Sequence, residues 1–198
     1  VGEGPWVARY TDNHDEGRGL HRFGAGAVRA VNELLFLSGH CIPFLLTGQE
    51  FGAINRPSIH ERMGVCDKGP RVVSADGGAT YERPGIEFEG NILARDNATR
   101  QEWSQFYRTL IRLRRDTPEL TRGACVPIDI GEEAKPAART VIAFDRLING
   151  SIVRCAVNLG PESRRLERAE WFTGPTLYGT IEDDALAPFA AVVVRVGQ

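Results

Sequence analysis

The chain has 198 residues, a formal net charge of −2 and a quarter of its residues charged. That balance gives no electrostatic reason to bind nucleic acid or a membrane surface. No apolar run approaches the roughly 20 residues that a membrane-spanning helix needs. Arginine far outnumbers lysine, which occurs only at Lys68 and Lys135; this is read as a bias of composition rather than a phosphate site.

In chain order, a short semi-apolar stretch from Trp6 to Tyr10 runs into Thr11-Asp12-Asn13-His14-Asp15-Glu16-Gly17-Arg18-Gly19-Leu20-His21. A strand that stops in a cluster of hydrogen-bonding groups, followed by a loop and a helix, is how α/β enzymes present side chains to a ligand. The two glycines allow a sharp turn, since glycine tolerates positive φ. Ala27, Val28, Val31, Leu34, Leu35 and Ser38 then recur at three- and four-residue spacing, which predicts a helix over 25–38. Gly39 is the expected left-handed stop. The apolar run Cys41 to Leu46 predicts a parallel strand buried on both faces, with Pro43 near its beginning. Strand, helix and strand in this order make a βαβ unit.

Thr47-Gly48-Gln49-Glu50-Phe51-Gly52 follows, and from Ala53 to about Asn97 the periodicity vanishes. A loop of that length is usually functional or disordered. Thr99 with Glu102 three residues on reads as a capping box. The helix it opens is expected to reach about Arg115, with Trp103, Phe106, Tyr107, Leu110 and Arg114 along one side and Pro118 ending it. A linker is placed near 117–123. Beyond it, Ala124 to Ile130, Thr140 to Ile148, Ser151 to Asn158, Thr176 to Tyr178 and Ala190 to Val196 are rich in β-formers. Asn149-Gly150 between two of them is a strong hairpin signal. These strands predict an antiparallel sheet or sandwich.

The run Asn13-His14-Asp15, with Arg18 three residues later and His21 beyond, closely resembles the Asn-His-Asp motif of the α-amylase family of glycoside hydrolases. Gly48-Gln49-Glu50 resembles that family's Gly-x-Glu segment, and Leu110 to Leu120 its last barrel helix, ending in Pro-x-Leu. The resemblance implies that residues 1–120 are the C-terminal portion of a (β/α)8 barrel. It would carry the last two strand-helix units and a long loop at about 53–97. Residues 121–198 would be an antiparallel β-sandwich domain. A full barrel needs about 200 or more residues by itself. The chain starts at Val1 and its one methionine is Met63, so a longer parent polypeptide or a companion chain is expected to hold the remainder of the barrel.

The implied activity is retaining glycoside hydrolysis on an α-glucan or α-glucoside. Such chemistry uses two carboxyl groups, a nucleophile and an acid/base, which the family draws from strands absent here. Asp15 is the family's third carboxylate, expected to bind sugar hydroxyls and stabilise the transition state. His14 would bind the same sugar. Asn13 would hold the loop. Arg18 and His21 would support the site or a neighbouring subsite, and Glu50 would line its rim. The alternative is a catalytically inactive fragment that binds carbohydrate or docks a partner.

Each assignment has a plainer rival. Asp15 could cap the turn with its carboxylate, as aspartates in loops do. For Arg18 a structural ion pair competes with substrate contact, and His21, Glu50 and Gln49 lean to structural roles. Phe23, Phe44 and Phe51 are expected in the core, and Trp171 and Tyr178 in packing rather than in sugar stacking. No cofactor is implied. No metal is expected, since the spacing of His14, Asp15 and His21 fits no zinc pattern; the family's usual calcium ligands belong to upstream segments. Cys41, Cys66, Cys125 and Cys155 lack Cys-x-x-Cys spacing, and Cys41 and Cys155 are expected to be buried thiols. Compartment does not follow from the cysteine count.

Overall fold

The computed structural model describes residues 6–13, 18–54, 96–131 and 139–197. Most of the pattern-free stretch, with Met63, Cys66 and Lys68, lies outside them, as do His14 and Asp15. The described chain forms two compact units that interleave in sequence. One gathers residues 1–9, 25–44 and 108–198, the other residues 10–24 and 45–107.

In the first unit, β1 (Val7–Arg9) pairs in parallel with β2 (Cys41–Pro43), in the register Val7 to Cys41 and Arg9 to Pro43. The connection between them is helix α1 (Gly19–Leu37), so the expected strand-helix-strand unit is present. The helix is broken at Gly24, with φ 78° and ψ 165°, so its regular part begins where the apolar periodicity does. Strand β2 is shorter than the run Cys41 to Leu46, and Pro43 ends it rather than starting it. The Phe44 N–H still donates to the Arg9 carbonyl at 2.8 Å just past it, so the missing proline N–H costs this parallel pairing no bond. The left-handed residue after α1 is His40, at φ 49°, not Gly39. Gly39 is needed for space: a Cβ there would press on Cys125 and the Arg146 guanidinium.

Helix α2 (Asn97–Asp116) is capped by Asp96 rather than by the expected Thr99–Glu102 box. The carboxylate of Asp96 accepts the Thr99 N–H at 2.9 Å and the Thr99 hydroxyl at 2.6 Å, the ordinary N-cap geometry. Within the expected linker a further helix, α3 (Pro118–Arg122), begins at Pro118. Proline is well suited to the first helical position because its missing N–H would find no partner there.

The antiparallel region consists of β3 (Ala124–Pro127), β4 (Val141–Ile148), β5 (Ser151–Asn158), β6 (Arg164–Arg165), β7 (Thr176–Tyr178), β8 (Ala185–Leu186) and β9 (Ala191–Val196). Five of these make one sheet, in the order β3-β4-β5-β9-β7. The β4–β5 hairpin turns on Asn149 and Gly150, at φ 49° and 82°, the positive values a two-residue hairpin turn needs. Where a sandwich was expected, the second layer among the described residues is a β6–β8 ribbon and a 3-10 turn at Ala169–Phe172.

Both faces of the sheet are buried. One face sets Phe144, Val153, Cys155, Val157 and Val193 against Ala30 and Leu37 of α1 and Leu120 of α3. The other sets Ala143, Ala156, Val192 and Val194 against Ile130, Leu166, Phe172 and Leu186. Burial at about 25 cal/mol per Å² of apolar surface drives this packing. Cys41 and Cys155 are buried as expected, while Cys125 is exposed. Phe23 and Phe44, expected in the core, are exposed.

Candidate functional site

The site region is the second unit, in which the segment after β1 and the segment after β2 meet. Its centre is Arg18, whose side chain is 0% exposed. A buried guanidinium must satisfy its donors inside the protein. Arg18 Nη2 donates to the Thr47 carbonyl at 2.7 Å and Nη1 to the Leu46 carbonyl at 3.5 Å. The neutralising carboxylate is Asp12, also buried, with Oδ2 at 3.6 Å from Nη1. The other carboxylate oxygen, Oδ1, accepts the Gly19 N–H at 2.9 Å. Gly19 opens α1, where unpaired N–H groups and the helix dipole favour an anion. A single carboxylate thus pairs with Arg18 and caps the helix beginning next to it.

A second stitch runs through Gln49, which is buried. Its Nε2 lies 2.7 Å from Thr11 Oγ1 and 2.8 Å from the Tyr107 hydroxyl. Its Oε1 accepts the Leu46 N–H at 3.2 Å. Gln49 opens a 3-10 turn, Gln49–Phe51, between the left-handed glycines Gly48 and Gly52. Gly52 could carry no side chain, because a Cβ would collide with Trp103. Trp103, Phe106 and Tyr107 pack edge to face and tilted, with ring centroids 5.0 to 6.2 Å apart.

Of the residues singled out in the sequence, Asn13 is half-buried and follows Asp12 in the chain. His14 and Asp15 follow it, outside the described residues. His21 is exposed on the first turn of α1, its N–H bonded to the Arg18 carbonyl at 3.1 Å. Glu50 is half-buried and accepts the Gly48 N–H at 2.9 Å, a bond that closes its own turn. Arg18 directs its guanidinium to Asp12 and to the Leu46 and Thr47 carbonyls, and its side chain is buried. Asp12 and Thr11 stood inside the motif without being marked. The signal available was an acidic residue seven positions before the glycine that opens a helix. Among the described residues, no group of three His, Cys, Asp or Glu side chains is placed to hold a metal.

No protein-family profile and no curated relative matches the sequence. Solved structures do. The isomaltulose synthase SmuA from Protaminobacter rubrum aligns over 100% of this chain and 44% of its own, at 20% identity and a TM-score of 0.64. The isomaltulose synthase PalI from Klebsiella sp. LX3 aligns over 98% and 44%, also at 20% and 0.64. A variant of the trehalulose synthase MutB, in complex with Tris, aligns over 99% and 44%, at 21% and 0.62. The chain spans less than half the length of these proteins. Across nearly all of its residues it has the fold of part of these isomaltulose and trehalulose synthases.

Proposed function

We propose that this chain supplies the Asn-His-Asp part of a retaining, α-glucoside-directed glycosidase or transglycosidase site. The observation that carries the reading is the position of the motif. It follows directly on β1, a strand joined through α1 to the parallel strand β2, in a fold shared with α-amylase-family synthases. Loops at the C-terminal ends of parallel strands are where such folds carry their chemistry. Asp15 is the transition-state-stabilising carboxylate, which binds sugar hydroxyls as positive charge develops at the anomeric carbon. His14 binds the same sugar, and Asn13 holds the loop. His21 and Glu50 stand at the margin, and Arg18 supports the loop.

The nucleophile and the acid/base belong to the remainder of a (β/α)8 barrel, in the same precursor or in a companion chain. The state of the β1–β2 ribbon supports this. Among the described residues each strand has one neighbour, and Trp6, Val7, Ile42 and Phe44 are exposed. Parallel strands are ordinarily covered on both faces. Further parallel strands beside β1 and β2 would cover these side chains.

The test is to incubate the natural polypeptide that carries this chain with an α-glucoside and follow the first-formed sugar by proton NMR. Release or transfer with the α-anomer appearing first is expected. The β-anomer first, or no reaction on α-glucosides, would overturn the proposal.

A further inference from the structure

We infer that Asn149 is a site of spontaneous covalent modification, at which the turn of the β4–β5 hairpin closes to a succinimide and reopens as aspartate or isoaspartate. Of the asparagines in the chain, Asn149 alone is followed by glycine. Both turn residues are exposed. Neither the Asn149 side-chain amide nor the Gly150 N–H has a hydrogen-bond partner among the described residues. A Cβ on Gly150 would meet nothing within 4 Å, so base and water reach this peptide from open space. Two other asparagines show the contrast. Asn158 is buried, and its amide donates to the Glu162 and Ala187 carbonyls at 2.7 and 3.0 Å. Asn32 is buried and donates to the Val28 carbonyl at 2.8 Å.

The chemistry needs only hydroxide and water. The Gly150 nitrogen gives its proton to hydroxide and attacks Cγ of Asn149. The nitrogen–Cγ bond forms, the Cγ–Nδ2 bond breaks, and Nδ2 leaves as ammonia after taking a proton from water. Glycine in the following position opposes this approach least, because it has no Cβ to crowd the nitrogen or restrict the backbone. Water then opens the ring, and the Gly150 nitrogen recovers a proton. Opening at the Cγ carbonyl gives aspartate, with the main chain as before. Opening at the Asn149 backbone carbonyl gives isoaspartate, whose main chain runs through the former side chain and is one methylene longer.

The surrounding structure separates the two products. The turn residues sit at φ 49° and 82°, values that match a two-residue turn to the twist of its strands. Ile148 pairs with Ser151 directly beside the turn. The Ser151 hydroxyl donates to Glu119 Oε1 on α3 at 2.6 Å, and Arg195 on β9 donates to the same oxygen. An extra methylene in the turn displaces Ser151 from Glu119 and from its place opposite Ile148. Aspartate adds a charge at an exposed position and leaves those contacts alone.

The experiment incubates the natural polypeptide that carries this chain at pH 9 and 37 °C beside a free peptide of residues 146–154. Tryptic mapping by mass spectrometry follows residues 147–154, and isoaspartyl methyltransferase reads the isoaspartate. Conversion of Asn149 with isoaspartate as the larger product is expected, with the peptides holding Asn32 and Asn158 unchanged. Gly150→Ala should slow the conversion at least about tenfold. Asn149 intact once the free peptide has converted, or Asn32 and Asn158 converting as fast, would overturn the site. An unaltered rate in folded Gly150→Ala would overturn the ring-closure route; if that variant does not fold, the free peptide and the two buried asparagines still decide the matter. The separated isoaspartate protein should melt below an Asn149→Asp variant, and equal melts would overturn the displacement of Ser151.

Discussion

The carboxylate of Glu33 on α1 accepts the phenolic hydrogen of Tyr178 on β7 at 2.6 Å, and its second oxygen is buried without a partner among the described residues. Burial raises the carboxyl to about pH 7, against the smaller opposing pulls of the Tyr178 bond and the Arg29 charge. The Tyr178 hydroxyl is held well above its usual range by the same burial. The folded state keeps the Glu33 proton up to about pH 7, whereas an unfolded chain releases it near 4.5.

Stability must therefore fall as pH rises through that interval, by up to about 3 kcal/mol in all, and stay reduced above it. Glu33→Gln keeps an acceptor for Tyr178 and removes the titration. Urea unfolding of the two proteins at pH 5 and pH 8 should give a difference that favours the variant at the higher pH. Parallel pH profiles would contradict the assignment.

Two arginines, Arg114 and Arg146, are buried beside one another at the end of α1 with backbone carbonyls as their partners. Arg146 donates to the Leu37 and Gly123 carbonyls at 2.8 Å each. Arg114 donates to those of Phe36, Ser38 and Cys41. The last carbonyls of a helix lack intrahelical partners and carry the negative end of its dipole, so a cation is well placed there. Burial draws the pKa of both guanidinium groups below the usual value. Arg146→Met relieves that buried charge but orphans two buried carbonyls, for a net loss of about 2–4 kcal/mol. An equilibrium urea titration should show it as a lower midpoint with an unchanged slope.

Two glycines at positive φ separate backbone strain from steric collision. At Gly150, with φ 82°, a Cβ would meet nothing within 4 Å. Gly150→Ala should therefore cost only the left-handed conformation, about 1–2 kcal/mol. At Gly179, with φ 65°, a Cβ would collide with the Ala191 carbonyl, and the β7–β9 pairing would have to give way. Thermal melts should place Gly179→Ala well below Gly150→Ala. Equal losses would show that the collision is relieved without cost.

What the sequence disclosed follows from the length of each signal. Ser151 to Asn158 and Thr176 to Tyr178 match β5 and β7 at both ends, and Asn149-Gly150 sits in the turn it predicts. The ribbon of Arg164–Arg165 with Ala185–Leu186 escaped notice, because two residues carry no period. The pairing of Asp12 with Arg18 and Gly19 escaped as well. Asp12 looked like one more polar residue before a loop, and its partner Gly19 contributes a backbone N–H that no side-chain pattern reveals. Helical spacing sets Arg114 on the side of Trp103, Phe106, Tyr107 and Leu110, and no pattern marks Arg146; the carbonyls that hold them lie far away in sequence. Phe23 and Phe44 misled in the other direction: hydrophobicity predicts burial only when something is there to bury against. The motif at Asn13 to Asp15 raises an expectation of chemistry from sequence alone, and its His14 and Asp15 lie outside the described residues.

The most direct test of the central claim is the turnover of the natural polypeptide on an α-glucoside with Asp15 replaced by asparagine. The account predicts a folded protein, matched to the parent by circular dichroism and melting, whose kcat falls at least about a hundredfold, the scale of losing one transition-state stabiliser. A correctly folded Asp15→Asn protein that turns over at the parent's rate would contradict it.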